Sequence, residues 1–323
     1  MQRRTFILAA ALAACAPLAH AADAWPTRPI TYIVPFTPGG TTDVIGRTIA
    51  QYLTPMLGQP IVIENKPGAA GALGATAAKN AKPDGYTLFG GTISTHAINA
   101  SLYSDLPYDP IKDFEPITLV GFIPNALYVN PNLGVNNVQE LIALIKKDPN
   151  ARTFASSGAG TSTHLAGELF GDLIGVKLTH VPYKGTPQAF QDVVAGNVAF
   201  MFDQLTAGAP LVKAGKLKLL VVTTPKRTPL APDTPTMAEA GVKNFEMMSW
   251  QAVYAPKGTP RDIVSTLNAD IVKILRNPEV AKKMSDTMGI EIAASTPEEL
   301  TALMQKEIPR WGELVKKSGA KPN

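Results

Sequence analysis

A chain of 323 residues, 45% apolar and only 17% charged, can bury a core without help from cross-links. Its formal net charge of +4 is scattered, and no basic run carries interleaved aromatics, which argues against a nucleic-acid partner. A single cysteine, Cys15, excludes a disulfide scaffold and a cysteine-rich metal site.

The first predicted element is an export signal over residues 1–21. Arg3 and Arg4 precede the apolar run Phe6 to Ala14, and Ala19-His20-Ala21 has the A-x-A form of a cleavage site. That run is too short to span a bilayer. Arg3-Arg4-Thr5-Phe6-Ile7 faintly resembles a twin-arginine signal, and Leu12-Ala13-Ala14-Cys15 resembles a lipobox, which leaves lipidation of Cys15 as the alternative. Cleavage after Ala21 is the preferred reading and places the mature chain in the periplasm, free of cysteine. Removing Arg3 and Arg4 from 30 basic residues leaves 28 against 26 acidic.

Apolar, β-rich runs then alternate with helix-period segments. Strand Ile30–Val34 leads through Pro35-Phe36-Thr37-Pro38-Gly39-Gly40 into a helix from Thr42 to about Leu57. Strand Ile61–Glu64, an Ala-rich helix from Ala69 to Lys79, a Pro83-Asp84-Gly85 turn and strand Tyr86–Phe89 follow. After a proline-rich pause over 107–124 come strand Ala126–Val129, helix Asn137–Lys147, strand Thr153–Ala155 and helix Ser162–Ile174. Strand Leu178–Val181, helix Pro187–Ala195 and strands Val198–Phe202 and Leu217–Val222 complete that stretch. A second proline-rich pause spans 225–260, and the tail from Pro260 to Lys317 reads as helical. Capping-box patterns mark helix starts at Thr236 with Glu239 and at Thr296 with Pro297 and Glu299.

This alternation predicts α/β architecture with parallel sheets and right-handed crossovers. The two pauses predict two chain crossovers between lobes. Lobe 1 comprises residues 22–122 plus 250–323 and is discontinuous; lobe 2 comprises 123–249. A cleft between hinged lobes follows from that arrangement.

Two loops carry the chemistry. Pro35–Asp43 has glycines that let backbone approach a ligand, followed by a helix start whose N–H groups and dipole favour an anion. It lacks the Gly-Lys-Ser/Thr of a Walker loop and the spacing of a dinucleotide fingerprint. Ser156-Ser157-Gly158-Ala159-Gly160-Thr161-Ser162-Thr163 repeats the design ahead of the Ser162 helix. At the carboxyl edges of two sheets, both loops would face the cleft and suit a ligand carrying one or two carboxylates.

Catalytic groups are sparse. Ser162 lacks the closing glycine of a nucleophile elbow, and His96, His164 and His180 have no zinc-site spacing, so they read as packed or loop histidines. Asp43 reads as a loop brace. Asp203 ends an apolar strand and either meets a ligand ammonium or hydroxyl or caps the helix near Thr206. Lys184 borders the cleft or is simply solvated, and Trp250 reads as hinge packing rather than ligand wall. No metal or cofactor is expected.

Several segments resemble a known family. They include Trp25-Pro26-Thr27-Arg28-Pro29-Ile30, Val34-Pro35-Phe36 with Gly39-Gly40 and Asp43, and Leu57-Gly58-Gln59-Pro60 with Glu64-Asn65-Lys66-Pro67-Gly68. Pro83-Asp84-Gly85-Tyr86-Thr87-Leu88, Leu106-Pro107-Tyr108-Asp109-Pro110 and His180-Val181-Pro182-Tyr183-Lys184-Gly185 continue the series, and Asp233-Thr234-Pro235-Thr236 with Glu239-Ala240-Gly241 ends it. Together they resemble the extracytoplasmic receptors of tripartite tricarboxylate transporters, the Bug family of periplasmic solute-binding proteins. The resemblance implies a two-lobed, flytrap-like, periplasmic-binding-protein-like fold acting as a monomer with membrane permease subunits as partners. It further implies carboxylate binding by Phe36, Thr37, Gly39, Gly40 and Thr41 in lobe 1 and by Ser157, Gly158, Gly160, Thr161 and Thr163 in lobe 2. Thr92, Ser94 and Asp203 are the expected ligand-specific positions. Ligands in scope are di- and tricarboxylates, acidic amino acids and aromatic carboxylates such as terephthalate. The competing readings are an exported α/β hydrolase or isomerase, and a ligand sensor acting through a membrane partner.

Overall fold

Strand β1 (Ile30–Val34) reads Ile-Thr-Tyr-Ile-Val and is buried except at Thr31, the run expected of a parallel strand covered on both faces. The computed structural model describes residues 25–245 and 247–321. The expected signal segment, with Arg3, Arg4, Cys15 and Ala21, lies outside the described residues. Helix α1 (Thr41–Leu57) follows, burying Ile45, Ile49 and Leu53 at a spacing of four, and left-handed Gly58 closes it. Next come β2 (Ile61–Asn65), α2 (Ala72–Lys79) and β3 (Thr87–Thr92). β1 pairs in parallel with β2 and with β3.

A π-helical turn over Ser94–Ile98 and a short α3 (Asn99–Leu102) lead to the 16-residue strand β4 (Phe114–Val129). The second half of the molecule contains α4 (Val138–Lys147), β5 (Thr153–Ser156), α5 (Ser162–Ile174), β6 (Thr179–Pro182) and α6 (Thr186–Ala195). It continues with β7 (Phe200–Gln204), α7 (Leu205–Lys213) and β8 (Lys218–Val222). β5 pairs in parallel with β6 and β7. The chain returns along β9 (Met248–Pro256) and ends in α8 (Arg261–Arg276), α9 (Pro278–Met288), the short β10 (Glu291–Ile292) and α10 (Pro297–Ser318).

The strand order is β2-β1-β3-β9-β4-β7-β5-β6, with β8 and β10 also on β4. The expectation of parallel sheets is therefore corrected. β9 runs antiparallel to β3 and β4, and β4 runs antiparallel to β7 and β8. The proline-rich pauses, read as interruptions, hold the two crossing strands. Prolines argue against central strands because they cannot donate to the ladder. Here they sit where pairing breaks. The β4–β9 register shifts just after Pro116, and Pro124 is the last β4 residue paired with β9 before Asn125 pairs with β7.

The capping box at Thr296 forms and starts α10. The same reciprocal bonds form at Thr236, where the Glu239 N–H donates to Oγ1 at 3.1 Å and Glu239 Oε2 accepts the Thr236 N–H at 2.8 Å. They close only a turn, because Gly241 enters the left-handed region at φ +88°.

Candidate functional site

At the end of β1 the chain turns through Gly39, whose φ of +82° needs glycine. The Gly39 N–H donates to Asp43 Oδ2 at 3.0 Å, and Arg47 Nε donates to the same oxygen at 2.9 Å. Asn65 Nδ2 donates to Asp43 Oδ1 at 2.9 Å and to the Phe36 carbonyl at 3.0 Å, tying the loop to the end of β2. Asp43 is thus the brace expected of it. Gly40, the residue before α1, has ordinary extended backbone at φ −76°, and no side chain caps the helix. The first turn of α1 presents its N–H groups and the positive end of its dipole to whatever lies ahead.

The second loop is built differently. Thr161 caps α5, accepting the His164 N–H at 3.4 Å, and its hydroxyl donates to the Gly158 carbonyl at 2.7 Å. The Ser157 N–H donates to Thr163 Oγ1 at 2.9 Å. This helix start satisfies part of its own demand, so hydroxyl groups rather than bare amides form its face.

Strand ends from both halves meet around one small cavity of about 50 Å³. Phe36, Thr37, Gly40 and Thr41 come from the first loop, Thr92 and Ser94 from the end of β3, and Ser157, Thr161 and Thr163 from the second loop. Asp203 enters from the end of β7. The structure does not bring Gly39, Gly158 and Gly160 to this wall. Gly39 faces a neighbouring groove with Val44 and Phe190, and Gly158 lines an outer groove with Tyr183 and Lys184. Gly160 packs so tightly on Leu102 that a Cβ would collide with it. Their amides are also taken: Gly158 donates to Ser156 Oγ at 3.1 Å and Gly160 to His164 Nδ1 at 3.0 Å. These glycines serve the turns.

Sequence reasoning missed Thr42, Ser162, Thr186, Gln204, Ser249 and Gln251 on the cavity wall. Thr186 carried a usable signal, since Gly185-Thr186-Pro187 opens α6 in the same glycine–hydroxyl style. Ser249 and Gln251 lie on a returning strand whose partners are distant in sequence. Trp250, expected as hinge packing, pairs opposite Phe122 between the crossing strands and also lines the cavity.

The halves are shut on each other. The Ser162 N–H donates to Ser94 Oγ across the cleft at 3.3 Å, and a Cβ on Gly185 would collide with Thr37 Oγ1. A space of about 50 Å³ holds a few water positions at roughly 10–15 Å³ each.

Among the residues lining the cavity Asp203 alone is ionisable. Burial pushes its carboxyl up to about 6, although hydrogen bonds from Thr186 Oγ1 (2.7 Å) and the Gln204 N–H (2.6 Å) pull the other way. The Trp250 indole N–H is buried without a partner, as is Asn125 Nδ2 beside the crossover. Such donors call for an acceptor. The histidines stay out of the wall. His96 stacks on Tyr254 at 3.8 Å, and burial holds it down to about 3. His180 stacks on His164 at 3.8 Å and sits 2.6 Å from Ser156 Oγ, with burial and then His164 lowering it to about 3. Asp203 Oδ1 accepts from the neighbouring Gln204 backbone rather than capping near Thr206, and no side chain caps α7. Among the described residues no group of three or more His, Cys, Asp or Glu is placed to hold a metal ion, and no helix is long and apolar enough to cross a membrane.

A polar, hydroxyl-rich enclosure with one open helix start and no cation suits capture of a small anion through neutral donors. Comparison with known proteins gives the same direction. The model of the tripartite tricarboxylate transporter family receptor matches residues 45–320. BugT of Bordetella pertussis is 37% identical over 301 residues, covering 93% of this chain and 92% of its own. An R. palustris protein solved with adipate superposes with a TM-score of 0.89 at 39% identity, covering 93% of this chain and 100% of its own. MatC from Rhodopseudomonas palustris with bound malate does so with a TM-score of 0.85 at 36% identity, covering 90% and 100%.

Proposed function

The chain belongs to the tripartite tricarboxylate transporter receptor family, a Bug-type solute-binding receptor, and from that premise we propose that it captures a small organic carboxylate between its lobes. We take lobe 1 as residues 22–122 plus 250–323 and lobe 2 as 123–249, the signal over 1–21 being removed on export to the periplasm. The loaded receptor hands its ligand to permease subunits in the membrane. The observation that carries this reading is the uncapped start of α1 lining one cavity together with hydroxyls from the other half. Two relatives solved with carboxylates, adipate and malate, support it.

The physics is sufficient without a buried arginine. Hydrogen bonds to a charged group contribute roughly 1.5–3 kcal/mol each. Four or five, offset by ordering costs, reach the roughly 8 kcal/mol of micromolar binding. Closure follows because only the shut form lets one ligand bond both halves, which shifts the population toward it.

A thermal-shift screen against a carboxylate library tests the reading. A true ligand at a hundredfold excess over its Kd stabilises the protein by about 2.7 kcal/mol. A screen in which neutral solutes raise the melting temperature and carboxylates do not would overturn it. Gly40→Val supplies the residue-level check. Gly40 has ordinary φ, and a Cβ there meets only the Thr37 carbonyl at 3.5 Å, so the variant folds. The added branched side chain occupies the approach to the α1 amides, and binding is lost. A folded variant that binds normally refutes the role of the first loop.

A further inference from the structure

We infer that Asp203 makes this receptor selective for carboxylates that present a hydrogen-bond donor, an ammonium or hydroxyl, to the second lobe, and that it rejects a second ionised carboxylate there. The inference rests on the carboxylate-receptor reading and narrows its ligand class.

The cavity wall contains hydroxyls, amides and an indole, but no lysine, arginine or histidine, and one carboxyl. Asp203 is 2% exposed and has no cationic partner; both of its bonds come from neutral donors. A buried carboxylate normally keeps a cation or several donors beside it, because leaving it bare is costly. A carboxylate has about four acceptor positions. Thr186 Oγ1 uses one on Oδ2 and the Gln204 N–H uses one on Oδ1, so about two remain. The titratable group facing Asp203 from β4 is the Tyr128 phenol, whose proton goes to the Leu205 carbonyl at 2.6 Å, so it supplies no donor to Asp203.

The part of the wall contributed by the first half has the complementary bias. The start of α1, on the first-loop part of the wall, offers N–H groups that no side chain caps. One side therefore seeks an acceptor and the other a donor. A ligand with a carboxylate at one end and an ammonium or hydroxyl at the other satisfies both. A dianion of equal length satisfies the first and sets a second negative charge beside Asp203 in a site shielded from water, where like charges repel strongly.

Matched pairs test this by calorimetry at pH 8, where Asp203 is ionised: β-alanine against succinate, 4-aminobutyrate against glutarate, and 5-aminopentanoate against adipate, with glutamine as an α-amino probe. The wild type binds the donor-bearing member of the pair that fits on the order of 100-fold more tightly. Asp203→Asn, which keeps the shape and removes the charge, erases or reverses that preference while carboxylate binding persists. Asp203→Ser provides a second variant should the amide perturb folding, which circular dichroism reports. Equal or tighter binding of the ionised dicarboxylates by the wild type overturns the inference, and so does an unchanged ranking in both variants. In either case the receptor reading stands. If no carboxylate of any kind binds the wild type, the receptor reading itself fails.

Discussion

Asp43 and Asp203 are equally buried, each 2% exposed, yet their carboxyls move in opposite directions from the ordinary value. Burial raises both. At Asp43 it is outweighed by Arg47, the Gly39 N–H and Asn65, which together hold the carboxyl below its usual value. At Asp203 burial outweighs the bonds from Thr186 and the Gln204 N–H. The stability consequences have opposite signs. Asp43 contributes stability that is present above the unfolded-state value and is lost as pH falls below it. Asp203, at about 6 folded against 3.8 unfolded, binds its proton more tightly in the folded state, so stability falls as pH rises between those values. That difference corresponds to about 3 kcal/mol at most. Without ligand, Asp203→Asn is therefore expected to be more stable than the wild type in urea titrations at pH 7.5, with the difference vanishing near pH 4. A variant no more stable at pH 7.5 would show that burial does not penalise the ionised carboxyl in the folded protein. At this scale the sequence was legible where chemistry is local. The glycines and hydroxyls of both loops are visible in one line of text, and so is Asp43 at the first turn. That Gly40 lines the cavity while Gly39, Gly158 and Gly160 turn away depends on φ values and amide partners, which composition does not encode.

The elements divide in the same manner. β1, α1 and α5 announce themselves through periodicity and flanking turn residues, and they form close to the expected bounds. β9 and the first part of β4 do not, because Pro116, Pro124 and Pro256 argue against strands and the two pair across a long stretch of chain. Only the end of β4, Ala126–Val129, reads as a strand in the sequence. The connection between the halves is a hydrogen-bonded pair of strands. Gly121 lies at the second register shift of this pair, and a Cβ there would run into the Glu291 backbone of β10. The halves also meet at the other end of the elements, where the β6–α6 connection touches the first loop. Gly185 has extended backbone that any residue adopts, yet a Cβ on it strikes Thr37 Oγ1. Gly185→Ala should fold with wild-type stability in the absence of ligand, hold the halves slightly apart and weaken ligand binding by about tenfold or more. Small-angle scattering with saturating ligand checks it; a variant that compacts as fully as the wild type removes Gly185 from the closure contact.

Across the whole molecule the two halves are bound together more tightly than their separate sheets suggest. β4 pairs with β9 over 114–124, skipping Ile117 and Val120 at two register shifts, and with β7 and β8 over its last five residues, 125–129. Helix α10 packs along β4 and against α5 of the second half, where Lys317 Nζ meets Asp172 Oδ2 at 2.9 Å. The two-crossover plan was readable from the paired proline-rich pauses. The sharing of one strand by both sheets was not, since it is a property of pairing and leaves no periodic trace. Calorimetry should therefore give one unfolding transition whose van't Hoff and calorimetric enthalpies agree. Two resolved peaks would mean the halves melt independently.

A strand with a place in two sheets has one more consequence, which concerns how the protein is destroyed. Proteases cut chains at segments that open, and a domain that opens alone leaves its neighbour behind as a resistant fragment. Losing either sheet here strips pairing partners from β4 and so unravels the other. Limited digestion should thin the full-length band without accumulating any lobe-sized product, and clearance of a damaged copy would run to completion once it begins.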